Sequence, residues 1–159
     1  MCGISGLYSS NLNILEKLLK FNIYLNHRGP DYKSTYINKN KTFGMGHTRL
    51  AILDLSDKGN QPCNVEDRYI MVFNGEIYNH NAIRKIIDEK FDKKVSWKST
   101  CDTETVINSF IYLGIENSLK IFEGMFAVAF YDQLKNKLYL ARDRAGEKPL
   151  FYFMNKETL

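Results

Sequence analysis

The sequence predicts an α+β domain in which helices pack over antiparallel sheets, and three observations carry that expectation. Residues 125–131 are apolar on both alternating faces, as a strand covered on both sides must be, and 138–142 return as a hairpin partner across the polar turn 132–137. Shorter strand-like stretches at 33–37, 43–53 and 69–73 are separated by Asn, Lys, Gly and Pro clusters that read as turns. Between and around them, apolar residues recur at helical spacing. The chain has no internal repeat and no linker composition, so residues 1–159 read as one domain.

The helices have individual signatures. Asn13 is a polar cap with Glu16 three residues on, and Leu15, Leu18, Leu19 and Leu25 follow at near-helical spacing, so a first helix is expected to run to about Leu25. The segment His27-Arg28-Gly29-Pro30-Asp31 cannot continue it, because proline lacks a donor and restricts the residue before it. Asn79 can cap a second helix with Ala82, Ile83, Ile86 and Ile87 on its apolar face. A strand-like piece is expected at 95–98. A third helix carries Val106, Ile107, Phe110 and Ile111 and stops at Gly114, and a shorter fourth spans 118–122. A last strand is expected at 149–154.

Bulk properties exclude several classes. The net charge of +4 comes from lysines scattered from Lys39 to Lys137, among them Lys93 and Lys94, rather than from one block, which describes a solvated surface and not a nucleic-acid footprint. No apolar run approaches the roughly 20 residues that span a bilayer, and the N-terminus has neither a basic region nor a sustained apolar one, so no membrane association or secretory signal is expected. Three cysteines, at 2, 63 and 101, are an odd number without metal-ligand spacing. A soluble protein of the reducing cytoplasm is the expectation.

A few residues could carry chemistry. Cys2 follows a methionine that is commonly removed before a small residue, which leaves a thiol and a free α-amino group on one residue. That amine, with an ordinary pKa near 8, can act as base for its own thiol; the alternative is a small buried hydrophobe in the first strand. Asn74 and Gly75 follow an expected strand, and an amide with a glycine N–H can donate to a developing oxyanion; Asn-Gly is also a common turn. Arg49 lies inside an apolar segment and needs a partner, either a ligand carboxylate or an internal one. Glu76 and Asp102 could hold a ligand ammonium group, although Asp102 could equally be a helix cap. His27, His47 and His80 lack zinc spacing, so no metal site is expected, and no Gly-rich phosphate loop is present.

Together the strings Met1-Cys2-Gly3-Ile4-Ser5-Gly6, His27-Arg28-Gly29-Pro30-Asp31, Gly46-His47-Thr48-Arg49-Leu50-Ala51-Ile52-Leu53-Asp54, Asn74-Gly75-Glu76-Ile77-Tyr78-Asn79, Asp102-Thr103-Glu104, Gly124-Met125-Phe126-Ala127, Ala141-Arg142-Asp143-Arg144 and Gly146-Glu147-Lys148-Pro149-Leu150 occur in order over nearly the whole chain. In this the sequence resembles the N-terminal glutaminase domain of glutamine-hydrolysing asparagine synthetases, class II amidotransferases with an N-terminal nucleophile.

The resemblance implies a four-layer αββα sandwich of the N-terminal-nucleophile hydrolase type, with Cys2 at the end of a central strand. It implies hydrolysis of L-glutamine to glutamate and ammonia through a Cys2 thioester, with Asn74 and Gly75 as the oxyanion hole. Arg49 would bind the glutamine α-carboxylate, Glu76 and Asp102 its α-ammonium, and the backbone at Leu50 and Ile52 would complete the pocket. Cys101, where relatives often carry serine or another small residue, is expected to be neutral, and Cys63 a packing residue.

No cofactor is implied for this reaction. ATP and Mg belong to the synthetase domain, which makes asparagine from aspartate and whose Ser-Gly-Gly-x-Asp-Ser signature is absent from this sequence. The resemblance stops soon after Phe153, so a glutaminase domain lacking its C-terminal part is expected. An open sheet edge there would favour a homodimer or pairing with a synthetase subunit. A different acceptor for the ammonia, such as a sugar or a peptide carboxylate, and a non-catalytic regulatory or assembly module with the same fold are the alternatives.

Overall fold

The computed structural model describes residues 1–52, 54–91, 95–155 and 158. Its strands are β1 (Gly3–Tyr8), β2 (Tyr32–Ile37), β3 (Phe43–Arg49), β4 (Cys63–Val65), β5 (Tyr69–Ile77), β6 (Gly124–Asp132) and β7 (Lys137–Arg142). Its helices are α1 (Ile14–Tyr24), α2 (His80–Lys90), α3 (Asp102–Tyr112) and α4 (Ile115–Ile121), with short 3-10 turns at Asn26–Arg28 and Asp57–Gly59. All pairings are antiparallel, in a three-stranded sheet ordered β1-β3-β2 and a four-stranded sheet ordered β4-β5-β6-β7.

Side-chain alternation along the strands makes the layers, because residues two apart share a face. On β5, Ile70 and Val72 point to Phe43 and Met45 of β3, and these four with Tyr131 fill the space between the sheets. Met71, Phe73 and Ile77 point the other way, into a larger core with Ile83 and Ile87 of α2 and Val106, Ile107 and Phe110 of α3. On the outer face of the first sheet, Ile14 and Leu18 of α1 pack with Leu7. There β3 presents Gly44, where a Cβ would lie 2.6 Å from Leu18 Cδ1 and 2.9 Å from Ile14 Cγ2, so the missing side chain lets the helix approach. The order is therefore helix, sheet, sheet, helices: the expected αββα sandwich.

Several elements differ from the sequence reading. On α1, Leu15 and Leu19 are exposed, and the buried face is Ile14, Leu18 and Asn22, one residue round the helix from the leucine spacing. On α2, Ile83 and Ile87 are buried while Ile86 is 42% exposed, so the apolar stripe is narrower than expected. Asn79 holds the N-cap position of α2, but its side chain makes no capping bond: its amide donates to Ile121 O at 2.8 Å and its oxygen accepts from Glu123 N at 3.2 Å. Strand β3 stops at Arg49, and Leu53 lies outside the described residues, as do Lys93 and Lys94. Strand β5 continues through Asn74, Gly75 and Glu76 to Ile77, since β6 is long enough to pair with all of it. Residues 95–98 and 149–154 form no strand: Val95 and Trp97 pack on the helical core, while Phe151 to Met154 lie exposed.

Candidate active site

Alternation also sets what the inter-sheet layer presents at its end. Continuing from Phe43 and Met45, β3 turns His47 and Arg49 inward; continuing from Ile70 and Val72, β5 turns Asn74 and Glu76 inward. Cys2, just before β1 and two residues from Ile4, shares that face. Of these, Cys2, Arg49, Asn74 and Glu76 line one cleft with Gly75, with Leu50 and Ile52 after β3, and with Asp102 at the start of α3; His47 is fully buried and does not line it. The structure thus brings every site residue expected from the sequence together, from four separate elements.

Arg49 is 7% exposed, yet it meets no carboxylate within 4.0 Å among the described residues. Its Nη1 donates to Ser56 O at 2.7 Å and Asn60 Oδ1 at 2.8 Å, and its Nη2 donates to Asp54 O. The Asp54 carboxylate turns instead to the Ser56 hydroxyl (2.6 Å) and N–H (2.8 Å), which hold it below the usual carboxylate range. Neutral acceptors therefore orient the guanidinium without cancelling its charge, which decides against the internal carboxylate partner.

Asn74 is 5% exposed, and its side chain makes no hydrogen bond to any described residue. Its amide opens to the cleft, where a ligand or water can meet it. The turn reading of Asn-Gly is wrong, because both residues sit in register within β5, Asn74 opposite Ala127 and Gly75 opposite Phe126. The Glu76 side chain likewise has no hydrogen bond or ion pair among the described residues.

Asp102 does not cap α3; Cys101 holds the N-cap position. The Asp102 Oδ2 accepts from Ile77 N at 2.8 Å, which fastens the carboxylate to the end of β5. Burial raises its pKa, against the Ile77 bond and the helix-start contacts that lower it. An incoming cation would relieve that desolvation.

Cys2 is half-buried, with its thiol 3.8 Å from Leu50 O. Its backbone is anchored by residues to which the sequence gave no role: Arg28 Nε donates to Cys2 O at 3.1 Å, and Gly3 N donates to Thr48 Oγ1 at 3.2 Å. The loop carrying Arg28 also grips the Arg49 segment, where Asp31 N donates to Arg49 O at 3.0 Å and Asp31 Oδ2 accepts from Ala51 N at 2.8 Å. Gly29 permits the approach, because a Cβ there would lie 2.4 Å from Thr48 O.

Other supporting groups were also missed. Arg84 of α2 donates to Ser99 O (2.9 Å), Cys101 O (2.8 Å) and Thr105 Oγ1 (2.7 Å), and stacks on Trp97 at 4.4 Å, holding the stretch before Asp102. Cys101, expected to be neutral, lies 3.4 Å from Asp102 Oδ1 and 3.2 Å from Thr103 Oγ1. Burial pushes the Cys63 thiol up to about 12, leaving it an unreactive packing group. Lys148, buried, reaches Met1 Sδ at 2.6 Å on the cleft wall. Its loop is fixed by Asp143: burial opposes ionisation there, but N–H groups of Lys148, Glu147, Phe126 and Gly146 outweigh it and bring the pKa down to about 2. The only sequence signal for Arg28, Asp143 and Lys148 was their presence in the matched strings.

Burial brings His47 down to about 4, with Arg49 adding to the shift and the Phe73 backbone opposing it, so the ring is neutral near pH 7. Neither ring nitrogen has a hydrogen-bond partner among the described residues. No cluster of three or more His, Cys, Asp or Glu able to hold a metal occurs among the described residues, and no described helix is long and apolar enough to cross a membrane.

A half-buried thiol, a buried guanidinium bonded only to neutral acceptors and a buried amide thus meet in one cleft of an αββα sandwich. Consistent with that fold, the structure is similar to that of the glutamine phosphoribosylpyrophosphate amidotransferase from Bacillus subtilis, with a TM-score of 0.78 over 99% of this chain and 40% of that one, at 15% identity. In sequence the chain is 38% identical to a putative glutamine-hydrolysing asparagine synthetase 2 of Methanocaldococcus jannaschii, over 96% of this chain and 32% of that protein. It is 34% identical to the glutamine-hydrolysing asparagine synthetase 3 of Bacillus subtilis, over 96% of this chain and 25% of that protein. The glutamine amidotransferase domain family matches residues 1–159, and the chain belongs to that family. It spans about a third and a quarter, respectively, of the lengths of these two relatives.

Proposed function

We propose that the cleft hydrolyses L-glutamine to glutamate and ammonia through a thioester on Cys2. One observation carries the reading: Arg49, which has no carboxylate partner among the described residues, and the Asn74 and Glu76 side chains, which have no hydrogen-bond partner among them, converge on the same cleft as Cys2 and Asp102. A free amino acid needs that combination: a cation for its α-carboxylate (Arg49), anions for its α-ammonium (Glu76 and Asp102), and oxyanion donors at its side-chain amide (Asn74 and Gly75). Backbone at Leu50 and Ile52 completes the wall.

The chemistry begins once Met1, which here lines the cleft, is removed and Cys2 carries a free amine. That amine takes the thiol proton as sulfur attacks the amide carbon, and the negative charge that forms on oxygen is met by the Asn74 amide and the Gly75 N–H. The tetrahedral adduct expels ammonia, which leaves with the proton held by the amine, and a thioester remains. Water then adds to the thioester carbon, and glutamate departs as the thiol is restored. Every group in this sequence belongs to the chain, the substrate or water, and no cofactor takes part.

The names of the relatives favour asparagine formation as the use of the ammonia, in a synthetase region outside this chain; ATP and Mg would serve that region and not the cleft. That assignment of acceptor and partner belongs to the same proposal.

The reading is tested by intact-mass measurement before and after a glutamine-derived diazoketone that alkylates N-terminal thiols. Loss of Met1 and a single adduct on Cys2 is the expected result, with Cys2→Ala abolishing turnover while retaining glutamine binding. A processed chain that takes no adduct, or undiminished hydrolysis by Cys2→Ala, overturns it.

A further inference from the structure

The edge of β5 that faces β4 contains a gap, and the gap falls at Gly75. Residues two apart on a strand direct their backbone groups to the same neighbour. On β5, Tyr78 N just past the strand end donates to Glu123 O at 2.7 Å, so the even positions address β6 and the odd positions Met71, Phe73, Gly75 and Ile77 address the opposite edge. At Met71 that edge is covered by Cys63 of β4. At Ile77 it is covered by a side chain, the Asp102 carboxylate accepting from Ile77 N.

At Phe73 the ladder register, extended two residues from the Cys63 and Met71 pair, calls for Gln61. Its backbone is no longer in the strand, and Pro62 beside it has no N–H to offer. The Gln61 side chain supplies the bonds instead: Oε1 accepts from Phe73 N at 2.6 Å, and Nε2 donates to Phe73 O at 3.1 Å. The amide is 5% exposed and lines the cleft. A side-chain amide thus stands in for a strand residue on one side of Gly75, and a carboxylate does so on the other, which leaves the Gly75 N–H, among the described residues, as the open donor between two pinned neighbours.

We propose that Gln61 is a positioning residue for the oxyanion site, holding Phe73 so that Asn74 and the Gly75 N–H stand at a fixed spacing along the edge of β5. The inference rests on the glutaminase reading above. Both polar atoms of the Gln61 amide are engaged by Phe73, so it acts through the strand, on the step in which charge develops on the amide oxygen, and leaves the Arg49 and Glu76 contacts to the amino acid intact.

The test compares wild type with Gln61→Leu, which removes both bonds at similar size, and Gln61→Glu, which keeps the acceptor for Phe73 N but sets oxygen against Phe73 O. Steady-state glutamine hydrolysis, glutamine affinity in a Cys2→Ala background, and amide exchange at Phe73 are measured on each. Expected are a kcat at least tenfold lower in both variants, an affinity within about twofold of wild type, and Phe73 N–H protection lost in Gln61→Leu but partly kept in Gln61→Glu. If Gln61→Leu does not fold, Gln61→Glu alone decides on the same three readouts. An unchanged kcat with Phe73 deprotected, or affinity falling as far as kcat, overturns the inference. Wild type with Met1 removed that releases no glutamate would sink the glutaminase reading itself, an outcome recognisable because Phe73 exchange still reports whether the clamp exists.

Discussion

At Gly75 the two strands of the site come closer than any side chain allows. A Cβ there would lie 2.3 Å from Met125 O and 2.7 Å from Phe126 Cα, all of it backbone that cannot swing aside. Gly75→Ala is therefore expected to push β5 from β6 and to cost about 1–3 kcal/mol, the usual range for overpacking, measurable as a lower denaturant midpoint, with turnover lost more steeply than stability. At Arg49 the expectation is different. Arg49→Lys keeps the charge but cannot reproduce a fork that reaches Ser56 O, Asn60 Oδ1 and Asp54 O together. Its KM for glutamine should rise by about tenfold or more, the scale of a charge-assisted hydrogen bond, with a smaller change in kcat. An unchanged KM would mean that the guanidinium serves the 54–60 loop rather than the ligand.

Among the elements, α2 has a role that its own composition hides. Its buried Ile83 and Ile87 attach it to the core, while Arg84 on the adjoining face reaches three groups between Ser99 and Thr105 and lies over Trp97. That stretch enters α3 at Asp102, so the helix fixes the position of the cleft carboxylate from behind. Arg84→Ala should loosen 99–101 and raise KM for glutamine several-fold at nearly constant kcat, with Arg84→Lys restoring part of the loss. Equal falls in kcat and affinity would instead indicate general destabilisation. The same scale shows why element types were readable while their faces were not. The run at 125–131 and its partner are fixed by local pattern, and β6 and β7 match them closely. Of the α1 leucines expected on the buried face, the first sheet takes Leu18 but not Leu15 or Leu19, because Gly44 and Gly46 accept Ile14, Leu18 and Asn22.

Over the whole molecule, pH dependence follows from what the sandwich buries. His47, between the sheets, has a folded pKa of about 4 against an ordinary value near 6.5. Between these limits the unfolded chain binds more protons, so this contribution is intact above pH 6.5 and is lost as pH falls towards 4, at up to about 1.4 kcal/mol per pH unit. Asp143, lowered to about 2, adds a loss as pH falls below its ordinary value, while Asp102, raised by burial, acts in the opposite sense. His47→Gln should flatten the profile between pH 6.5 and 4 in urea unfolding; a slope identical to wild type would place its origin elsewhere.

The sequence by itself determined an α+β domain of helices over antiparallel sheets, because side-chain periodicity is written in local strings, and the resemblance carried by those strings supplied the αββα order and the residues that line the cleft. Cys2, Arg49, Asn74, Gly75, Glu76 and Asp102 were legible as types suited to one ligand. Only the tertiary structure decided what those residues are bonded to. It gave Arg49 neutral acceptors instead of an internal ion pair, turned Asp102 from a helix cap into a clamp on Ile77, and placed Arg28, Gln61 and Arg84 around the cleft. The physical reason is range: hydrogen-bond partners such as Gln61 and Phe73 or Arg28 and Cys2 lie 12 and 26 residues apart, and no pattern confined to one strand or one helix records which distant backbone group a side chain will meet.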